Sequence, residues 1–179
     1  MKSPHHLMRL ARDGSDYRNW YTEAHNAIAE VCNSNNWSVS KFIDVLALTS
    51  PRVSVKRNVS IAIRYMNDGI LGEDVMRNIR ASLEHYENTG EIRGPKTSAF
   101  SKALTGNQES IVLDTWMAKA LGVDQKKFDS KKFRSSAERR IRYAAHVLGW
   151  TPAETQAAIW AGTLKRAGRN VPVVSIQST

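Results

Sequence analysis

The chain has 179 residues and a formal charge of +9, because 26 lysines and arginines outnumber 17 aspartates and glutamates. The length suits one compact domain, and the charge indicates a polyanionic partner, nucleic acid first of all, although a merely soluble basic protein fits it equally well. The single cysteine, Cys32, excludes an internal disulfide, a Cys-rich zinc module and a four-cysteine iron–sulfur cluster, and we expect it to pack as a small apolar residue.

The N-terminal segment, MKSPHHLMRLARDG, lacks the apolar core of a signal peptide. No apolar run approaches the roughly 18 residues of a membrane span. The histidines lie in different segments and, apart from the adjacent pair His5 and His6, show no metal-ligand spacing. We therefore expect an intracellular protein, cytoplasmic and associated with the nucleoid, with no metal, no other cofactor and no membrane contact.

Apolar residues recur at helical spacing through the first half of the chain. A stripe that includes Trp20 and Val31 predicts a helix over about residues 15–32. Ser38 is placed to cap a second helix, which the Ser50-Pro51 pair ends because the residue before proline avoids the α conformation. Two further helices are predicted over residues 53–66 and 73–87, ended by Asn67-Asp68-Gly69 and Asn88-Thr89-Gly90.

The second half of the chain continues the helical pattern. Pro95 suits the first position of a helix that reaches about Leu104. Asp114 is placed to cap the next helix, over residues 115–121, which Gly122 ends. A final pair is predicted over residues 136–148 and 151–165, the second begun by the capping box Thr151-Pro152-Ala153-Glu154.

Strand patterns are scarce, so the predicted fold class is all-α, a compact helical bundle in one domain over residues 1–179. Its C-terminal tail, about residues 170–179, is either docked or frayed, and the sequence does not decide between the two.

Residues 73–104 form a predicted helix, a short turn containing glycine and a second helix, which is the pattern of a helix-hairpin-helix. Backbone N–H groups at the start of the second helix are unpaired and lie at the positive end of the helix dipole, so a DNA phosphate can bind them. Gly94 allows another backbone to approach closely. An ordinary corner between two helices gives the same pattern, so both interpretations stay open.

Two charged residues at predicted helix starts form a candidate reacting pair. Lys96 occupies the second position of its helix, where the dipole disfavours the ammonium and favours the neutral amine that attacks a sugar C1′ and forms a Schiff base. Asp114, as an N-cap, is stabilised as a carboxylate able to support positive charge that develops on a sugar as its base departs. Taken singly, such an aspartate is usually only a cap and such a lysine only solvated.

The run GPKTSAFSKAL, followed by IVLDTW, resembles the helix-hairpin-helix DNA glycosylases, which include endonuclease III and the 8-oxoguanine glycosylases. The resemblance covers about residues 38–121 and is strongest over 94–116. It implies a shortened DNA-glycosylase fold, in which Lys96 matches the lysine of members with both glycosylase and β-lyase activity and Asp114 matches the aspartate of almost all active members. The segment Leu48-Thr49-Ser50-Pro51-Arg52 resembles the family's Leu-Leu-Ser-x-Gln segment. This implies that Arg52 either wedges into the duplex space left by the flipped nucleotide or contacts the orphan base, although an ordinary exposed loop arginine fits equally well.

The sequence departs from the family pattern at several places. Ile92 replaces the first hairpin glycine and Arg93 replaces an apolar residue, so the turn is expected to differ in shape. The interval from Ser50 to Lys96 is shorter than in endonuclease III, which implies that helices lining the base pocket are reduced. Trp116 stands where a histidine is common, and it is a candidate to stack on an extruded base, with core packing as the alternative.

The resemblance therefore implies a DNA glycosylase with AP-lyase activity that acts as a monomer on double-stranded DNA with a flipped nucleotide. Two alternatives remain: a helix-hairpin-helix module that binds DNA without catalysis, and a helical protein-interaction domain whose charge is incidental. Basic side chains and the hairpin are expected to contact the DNA backbone. The residues expected to bind DNA are Arg52, Lys56, Arg57, Arg93, Gly94, Thr97, Lys126, Lys127, Lys131 and Lys132.

Overall fold

A computed structural model describes residues 1–73 and 75–175 of the chain. The described residues contain nine α-helices and no strand, which confirms the all-α class. Two short 3-10 turns, Ser15–Tyr17 and Gln125–Asp129, lie between helices. The helices are α1 Pro4–Asp13, α2 Trp20–Asn35, α3 Val39–Thr49, α4 Val55–Asp68, α5 Arg77–Thr89, α6 Pro95–Leu104, α7 Thr115–Leu121, α8 Lys131–Leu148 and α9 Pro152–Arg166.

The predicted caps occur where local chemistry alone decides them. The Ser38 side chain accepts the Lys41 N–H at the start of α3, and the Asp114 side chain accepts the Met117 N–H at the start of α7. α9 has the complete capping box, in which Thr151 and Glu154 satisfy one another's backbone N–H groups. Each of these side chains bonds a backbone group within three residues, so the sequence suffices to predict the contact.

Several predicted helix limits are wrong by a turn or more. The first predicted helix starts later, because the Ser15–Tyr17 3-10 turn precedes α2. α5 starts at Arg77 rather than at residue 73. α8 starts before residue 136, because the Ser130 side chain caps it by accepting the Phe133 N–H. Propensity and periodicity locate the middle of a helix better than its ends.

Helix α1 is absent from the sequence-based expectation. Ser3 caps it and Pro4 stands at its first position, which is a common helix start. The buried face follows helical spacing, as the repeat of apolar residues in the printed sequence already indicates. The buried residues are Leu7, Met8, Leu10 and Ala11.

The chain divides into two compact units, with the boundary inside α2. Unit 1 consists of Met1–Tyr21 and Gly106–Val171, and it contains α1, α7, α8 and α9. Unit 2 consists of Thr22–Thr105 with residues 172–175, and it contains α3, α4, α5 and α6. The expectation of one domain over residues 1–179 is not tested by this division and stays a prediction.

Helices α1 and α9 pack directly against each other in unit 1. A Cβ atom at Gly162 would lie 2.0 Å from the carbonyl oxygen of Leu10, and one at Gly14 would lie 2.0 Å from the carbonyl oxygen of Ala158. Only glycine therefore allows the two backbones to come this close. Apolar side chains of α7 and α8 complete the core, with Leu121 and Ile141 fully buried.

Helix α3 is the centre of unit 2, because α4, α5 and α6 all pack against it. Phe42, Leu46 and Leu48 of α3 are almost completely buried. A buried polar contact fixes the corner that leads into α4: the Thr49 hydroxyl donates to Asn58 Oδ1 at 2.6 Å. The Asn58 amide in turn donates to the carbonyl oxygen of Leu46 at 2.9 Å, so these polar groups are buried but satisfied.

Replacing Gly162 with alanine is expected to lower the free energy of unfolding by about 1–3 kcal/mol, because the new methyl group overlaps the Leu10 carbonyl and separates α1 from α9. In an exposed helix the same change stabilises by about 1 kcal/mol, so the sign of the effect identifies the steric cause. Gly14→Ala is a second test, since the φ of Gly14 is −103° and alanine adopts it without strain. Urea unfolding measures both, and an increase in stability would contradict the contact.

Candidate functional site

A short turn joins α5 and α6, as the sequence predicts, while its identity as a helix-hairpin-helix stays a prediction. α5 ends at Thr89, and Gly90 follows in the left-handed conformation with φ 72°. The turn reaches α6 through Gly94, whose φ of 92° and ψ of 135° lie in a region essentially restricted to glycine. Gly94 is thus needed for the chain direction, whereas a Cβ atom there would meet only Thr97 Oγ1, at 3.8 Å.

The start of α6 presents backbone N–H groups outward. Ser98 is the first residue whose N–H bonds back, to the carbonyl oxygen of Gly94 at 3.0 Å. Pro95 has no N–H, and Gly94 has no side chain to cap the helix, so within the described chain the N–H groups of Lys96 and Thr97 have no acceptor. An anion placed there would complete their hydrogen bonding.

Lys96 lies at the second position of α6, as predicted, and its side chain is half-buried. In the described part of the chain it makes neither a hydrogen bond nor an ion pair. A cation at this end of a helix opposes the dipole, at a cost of about 0.3–1 kcal/mol. An anion bound beside Lys96 would offset this cost.

A hydrogen-bonded carboxylate holds α6 against two other helices. The Ser101 hydroxyl of α6 donates to Asp44 Oδ1 at 2.6 Å, and the Tyr86 hydroxyl of α5 donates to Asp44 Oδ2 at 2.8 Å. Partial burial, followed by the hydrogen bond to Asp44 and its negative charge, raises the pKa of Tyr86, so this phenol remains a donor at neutral pH. Asp44 thus links α3, α5 and α6 on the two sides of the turn.

A second polar contact anchors the end of α5. Glu87 Oε1 lies 3.2 Å from Lys41 Nζ and accepts a hydrogen bond of 2.8 Å from the Tyr65 hydroxyl. Burial and the hydrogen bond to Glu87 raise the pKa of Tyr65 to about 12. Although partial burial works to raise the pKa of Glu87, the Tyr65 hydrogen bond and Lys41 outweigh it and lower that pKa. The carboxylate therefore joins α3, α4 and α5 near neutral pH.

Asp114 begins α7 in unit 1, as predicted. Its Oδ1 accepts the Met117 N–H at 2.8 Å, and the side chain is half-buried. Close to it lies Tyr21, which is only 7% exposed and donates its hydroxyl to Gln156 Oε1 at 2.6 Å. Burial and then the negative charge of Asp114 raise the pKa of Tyr21. Asp114 is thus a capping carboxylate beside a buried, protonated phenol.

Lys96 belongs to unit 2 and Asp114 belongs to unit 1. Each side chain lies at the start of its own helix, as the sequence predicts. That the two act on the same nucleotide stays a prediction.

Arg52 lies in the corner between α3 and α4 with an exposed side chain. Its φ is 59°, in the left-handed region that costs an L-residue roughly 1–2 kcal/mol. Asparagine and glycine adopt this conformation more easily. The arginine therefore strains the backbone at a position that either of them would occupy at lower cost. Such strain is common at functional sites, and the assignment of Arg52 as a wedge stays a prediction.

The basic residues near α8 form two groups: arginines that bind oxygen atoms of the protein, and exposed lysines that bind none in the described chain. Arg134 donates to the carbonyl oxygens of Phe128 and Asp129, and Arg142 pairs with Glu109. By contrast, the described residues provide no partner for three exposed lysines, and the ammonium of Lys127 lies 5.7 Å from the Phe133 ring centroid. The three lysines are Lys126, Lys131 and Lys132.

Basic residues stand in the first turn of five of the described helices, and none of those five first turns contains an acidic residue. Helices usually show the opposite preference, because acidic residues stabilise the positive end of the dipole. The sequence reasoning identified this feature only at Lys96; at α5 and α8 the helix start was predicted in the wrong place, so their first turns could not be recognised. The residues are Lys41 in α3, Lys56 and Arg57 in α4, Arg77 and Arg80 in α5, Lys96 in α6, and Lys131, Lys132 and Arg134 in α8.

The remaining predicted DNA contacts are also accessible. Arg93 and Gly94 are exposed in the turn before α6, and Thr97 is half-buried in its first turn. Trp116 is half-buried in α7, with the ammonium of Lys119 lying 5.0 Å from its ring centroid. This half-buried position fits both core packing and base stacking, so the role of Trp116 stays a prediction.

Cys32 is completely buried, which confirms that it packs as a small apolar residue. Among residues 1–73 and 75–175, no three histidine, cysteine or acidic side chains cluster closely enough to hold a metal ion. In the same part of the chain, no helix has the length and apolar character required to cross a membrane.

One protein-family model matches the chain over residues 10–167, and it is described as a family of unknown function. No curated protein matches the chain significantly, and no solved structure does so either. The family match begins within α1 and ends just beyond α9, so it includes both units and the candidate residues described above. The chain therefore belongs to the family of unknown function DUF7178.

Proposed function

We propose that this protein is a DNA glycosylase of the helix-hairpin-helix type with AP-lyase activity. The start of α6 carries the proposal: Gly94 turns the chain so that two N–H groups face outward beside the unpartnered side chain of Lys96. The N–H groups suit a DNA phosphate, and the amine suits attack on a sugar carbon.

The proposed reaction begins with a nucleotide rotated out of the stack. The neutral amine of Lys96 attacks C1′, the bond from C1′ to the base breaks, and the base leaves with a proton. The Asp114 carboxylate stabilises the positive charge that develops on the sugar. Opening of the sugar ring gives a Schiff base between Lys96 and C1′. Loss of a C2′ proton then expels the 3′ phosphate by β-elimination, and water releases the lysine.

The exposed cations support DNA as the partner. Arg52, Lys56, Arg93, Lys131 and Lys132 project from helix starts or from the turns before them and lack carboxylate partners among the described residues. Such side chains neutralise phosphates and release counterions on binding. The cations at the starts of α4, α6 and α8 extend the same argument, because a phosphate would offset their unfavourable interaction with the helix dipole.

The same helix starts also support a second candidate, a DNA-binding protein without catalysis. A phosphate-binding role explains Lys56 and Lys131 without any reaction, and Lys96 is then one contact of the same kind. The two candidates differ in one respect only: catalysis requires a covalent bond from Lys96, whereas phosphate binding requires its charge.

Borohydride trapping on DNA that contains abasic sites or modified bases is expected to give a covalent adduct with the native protein and none with Lys96→Arg. Arginine keeps the charge but cannot form the Schiff base, so DNA affinity is expected to change by less than about threefold. Lys102→Arg is the matched control, because Lys102 is an exposed lysine of the same helix. An adduct of equal yield in Lys96→Arg would show that another amine reacts and would refute the role of Lys96, whereas no adduct with any substrate would refute the lyase and leave the binding candidate.

Asp114→Asn is expected to reduce base release in a single turnover by about 100-fold or more, as for loss of one transition-state stabilising group. Asparagine still caps α7, so the unfolding midpoint is expected to stay unchanged. Asp114→Ser is a second variant that keeps the cap and removes the charge. Full activity in both variants would show that Asp114 is only a cap.

Replacing Arg52 with asparagine or glycine is expected to raise the free energy of unfolding by about 0.5–1 kcal/mol, because both residues adopt the left-handed backbone more easily. The same variants are expected to reduce the fluorescence increase of 2-aminopurine that accompanies base extrusion from a duplex. Urea unfolding and stopped-flow fluorescence measure the two effects. If the free energy of unfolding rises while the fluorescence is unaffected, the strained backbone at Arg52 has no role in base extrusion.

Replacing both Lys131 and Lys132 with alanine is expected to lower the salt dependence of duplex binding. The slope of the logarithm of the binding constant against the logarithm of the salt concentration is expected to fall in magnitude by about 1.8 if each lysine contacts one phosphate. Lys165→Ala is the matched control, because Lys165 Nζ already binds the carbonyl oxygen of Asp13 at 3.1 Å. Titrations at several salt concentrations measure the slope. An unchanged slope in the double variant would exclude these lysines from the interface.

A further inference from the structure

Helix α8 is the longest of the described helices and has two contrasting faces. One face is buried in unit 1 through Ala137, Ile141 and Ala144. On the opposite face Tyr143 is 53% exposed and Val147, one turn later, is 50% exposed. Two large apolar side chains thus stand next to each other in water on a helix that is already anchored to its own core.

These two residues continue a row that runs along α8 with a spacing of four residues. The row consists of Lys131, Ser135, Arg139, Tyr143 and Val147, all exposed, and is called the α8 row below. With a rise of about 1.5 Å per residue the row is about 24 Å long. Cations therefore occupy one half of the row and apolar side chains the other half.

The α8 row contains no acidic residue, and Glu138, the one glutamate in the sequence of α8, is half-buried beside it. A helix face that is merely solvated usually alternates acidic and basic residues that pair at this spacing. Arg140 and Arg142 of the same helix have partners, namely the Lys2 carbonyl oxygen and Glu109. In the described chain Arg139 and Tyr143 make no hydrogen bond, ion pair or ring contact.

We propose that the α8 row binds single-stranded nucleic acid. The Tyr143 ring stacks on an unpaired base, Val147 packs against the base or sugar that follows, and Arg139 and Lys131 neutralise phosphates along the strand. A positively charged track combined with an aromatic ring is the combination that binds single strands without sequence preference. This proposal depends on the proposed function only because it takes nucleic acid as the partner.

The arrangement favours an unpaired strand over two other polyanions. In a duplex the base faces are occupied by neighbouring bases, so a duplex would use the cations of the row and leave Tyr143 exposed. An acidic protein helix docks through apolar residues repeated over several turns, whereas the row has only Tyr143 and Val147. Unpaired bases alone use both the ring and the cations.

The test is the affinity of the full chain for a fluorescein-labelled oligothymidylate of about ten nucleotides, a length within the range of single-strand sites. Tyr143→Ala is expected to weaken binding about 5- to 100-fold, and Tyr143→Phe is expected to stay within about twofold of the native protein, because stacking needs the ring and not the hydroxyl. Arg139→Ala is expected to weaken binding and to lower the salt slope by about 0.7.

Three controls accompany the measurement. Tyr143→Ala is expected to keep its affinity for a duplex of the same length within about twofold and to unfold at an unchanged temperature, because the side chain is exposed. Ile70→Ala, which removes an apolar residue that is 62% exposed in unit 2, is expected to bind the oligothymidylate normally. Polyglutamate is expected to compete poorly with the oligonucleotide.

Four outcomes would overturn the proposal: unchanged binding by Tyr143→Ala, equal loss in Tyr143→Phe, equal loss for the duplex, or efficient competition by polyglutamate. The last outcome would assign the row to acidic proteins. Absence of a borohydride adduct with the native protein, together with a retained effect of Tyr143→Ala on oligothymidylate binding, would refute the lyase alone. Trapping that persists while Tyr143→Ala binds normally would refute the row alone.

Discussion

The architecture of unit 2 depends on a carboxylate placed between three helices. Asp44 accepts hydroxyl donors from α5 and from α6, and it is carried by α3, against which both helices pack. Hydrogen bonds to an ionised group contribute about 1.5–3 kcal/mol each. Because the donors lie on the two sides of the turn, Asp44 restrains the helix that ends before Gly90 and the helix that begins after Gly94.

Electrostatics at the starts of five described helices oppose stability in this protein. Cations stand in the first turn of five described helices, where they repel the positive end of the dipole. The backbone of Arg52 adds strain of the same kind. Proteins retain locally unfavourable features of this type where binding or catalysis benefits from them, and one class of ligand, a polyanion, would relieve most of them together.

The cations differ in what they already bind. Arg134, Arg140 and Arg142 hold backbone or carboxylate oxygens of unit 1, so they are part of its structure. Lys131, Lys132 and Arg139 lie on the same helix and bind nothing in the described chain. The basic residues of α8 therefore have two functions, and counting all of them overestimates the positive charge that is available to a ligand. The α8 row consists of residues on the available side of that division.

Local chemistry explains what the sequence alone determined: the all-α class, the caps at Ser38, Asp114 and Thr151, and the position of Lys96 in its helix, since each depends on residues a few positions apart. Only the tertiary structure decided which side chains have partners. Tyr21 and Tyr143 look alike in the sequence, yet one is buried beside Gln156 and the other projects into water. The reason is physical: a local pattern indicates which face of a helix is apolar, but the partner of an individual side chain is set by helices distant in the chain.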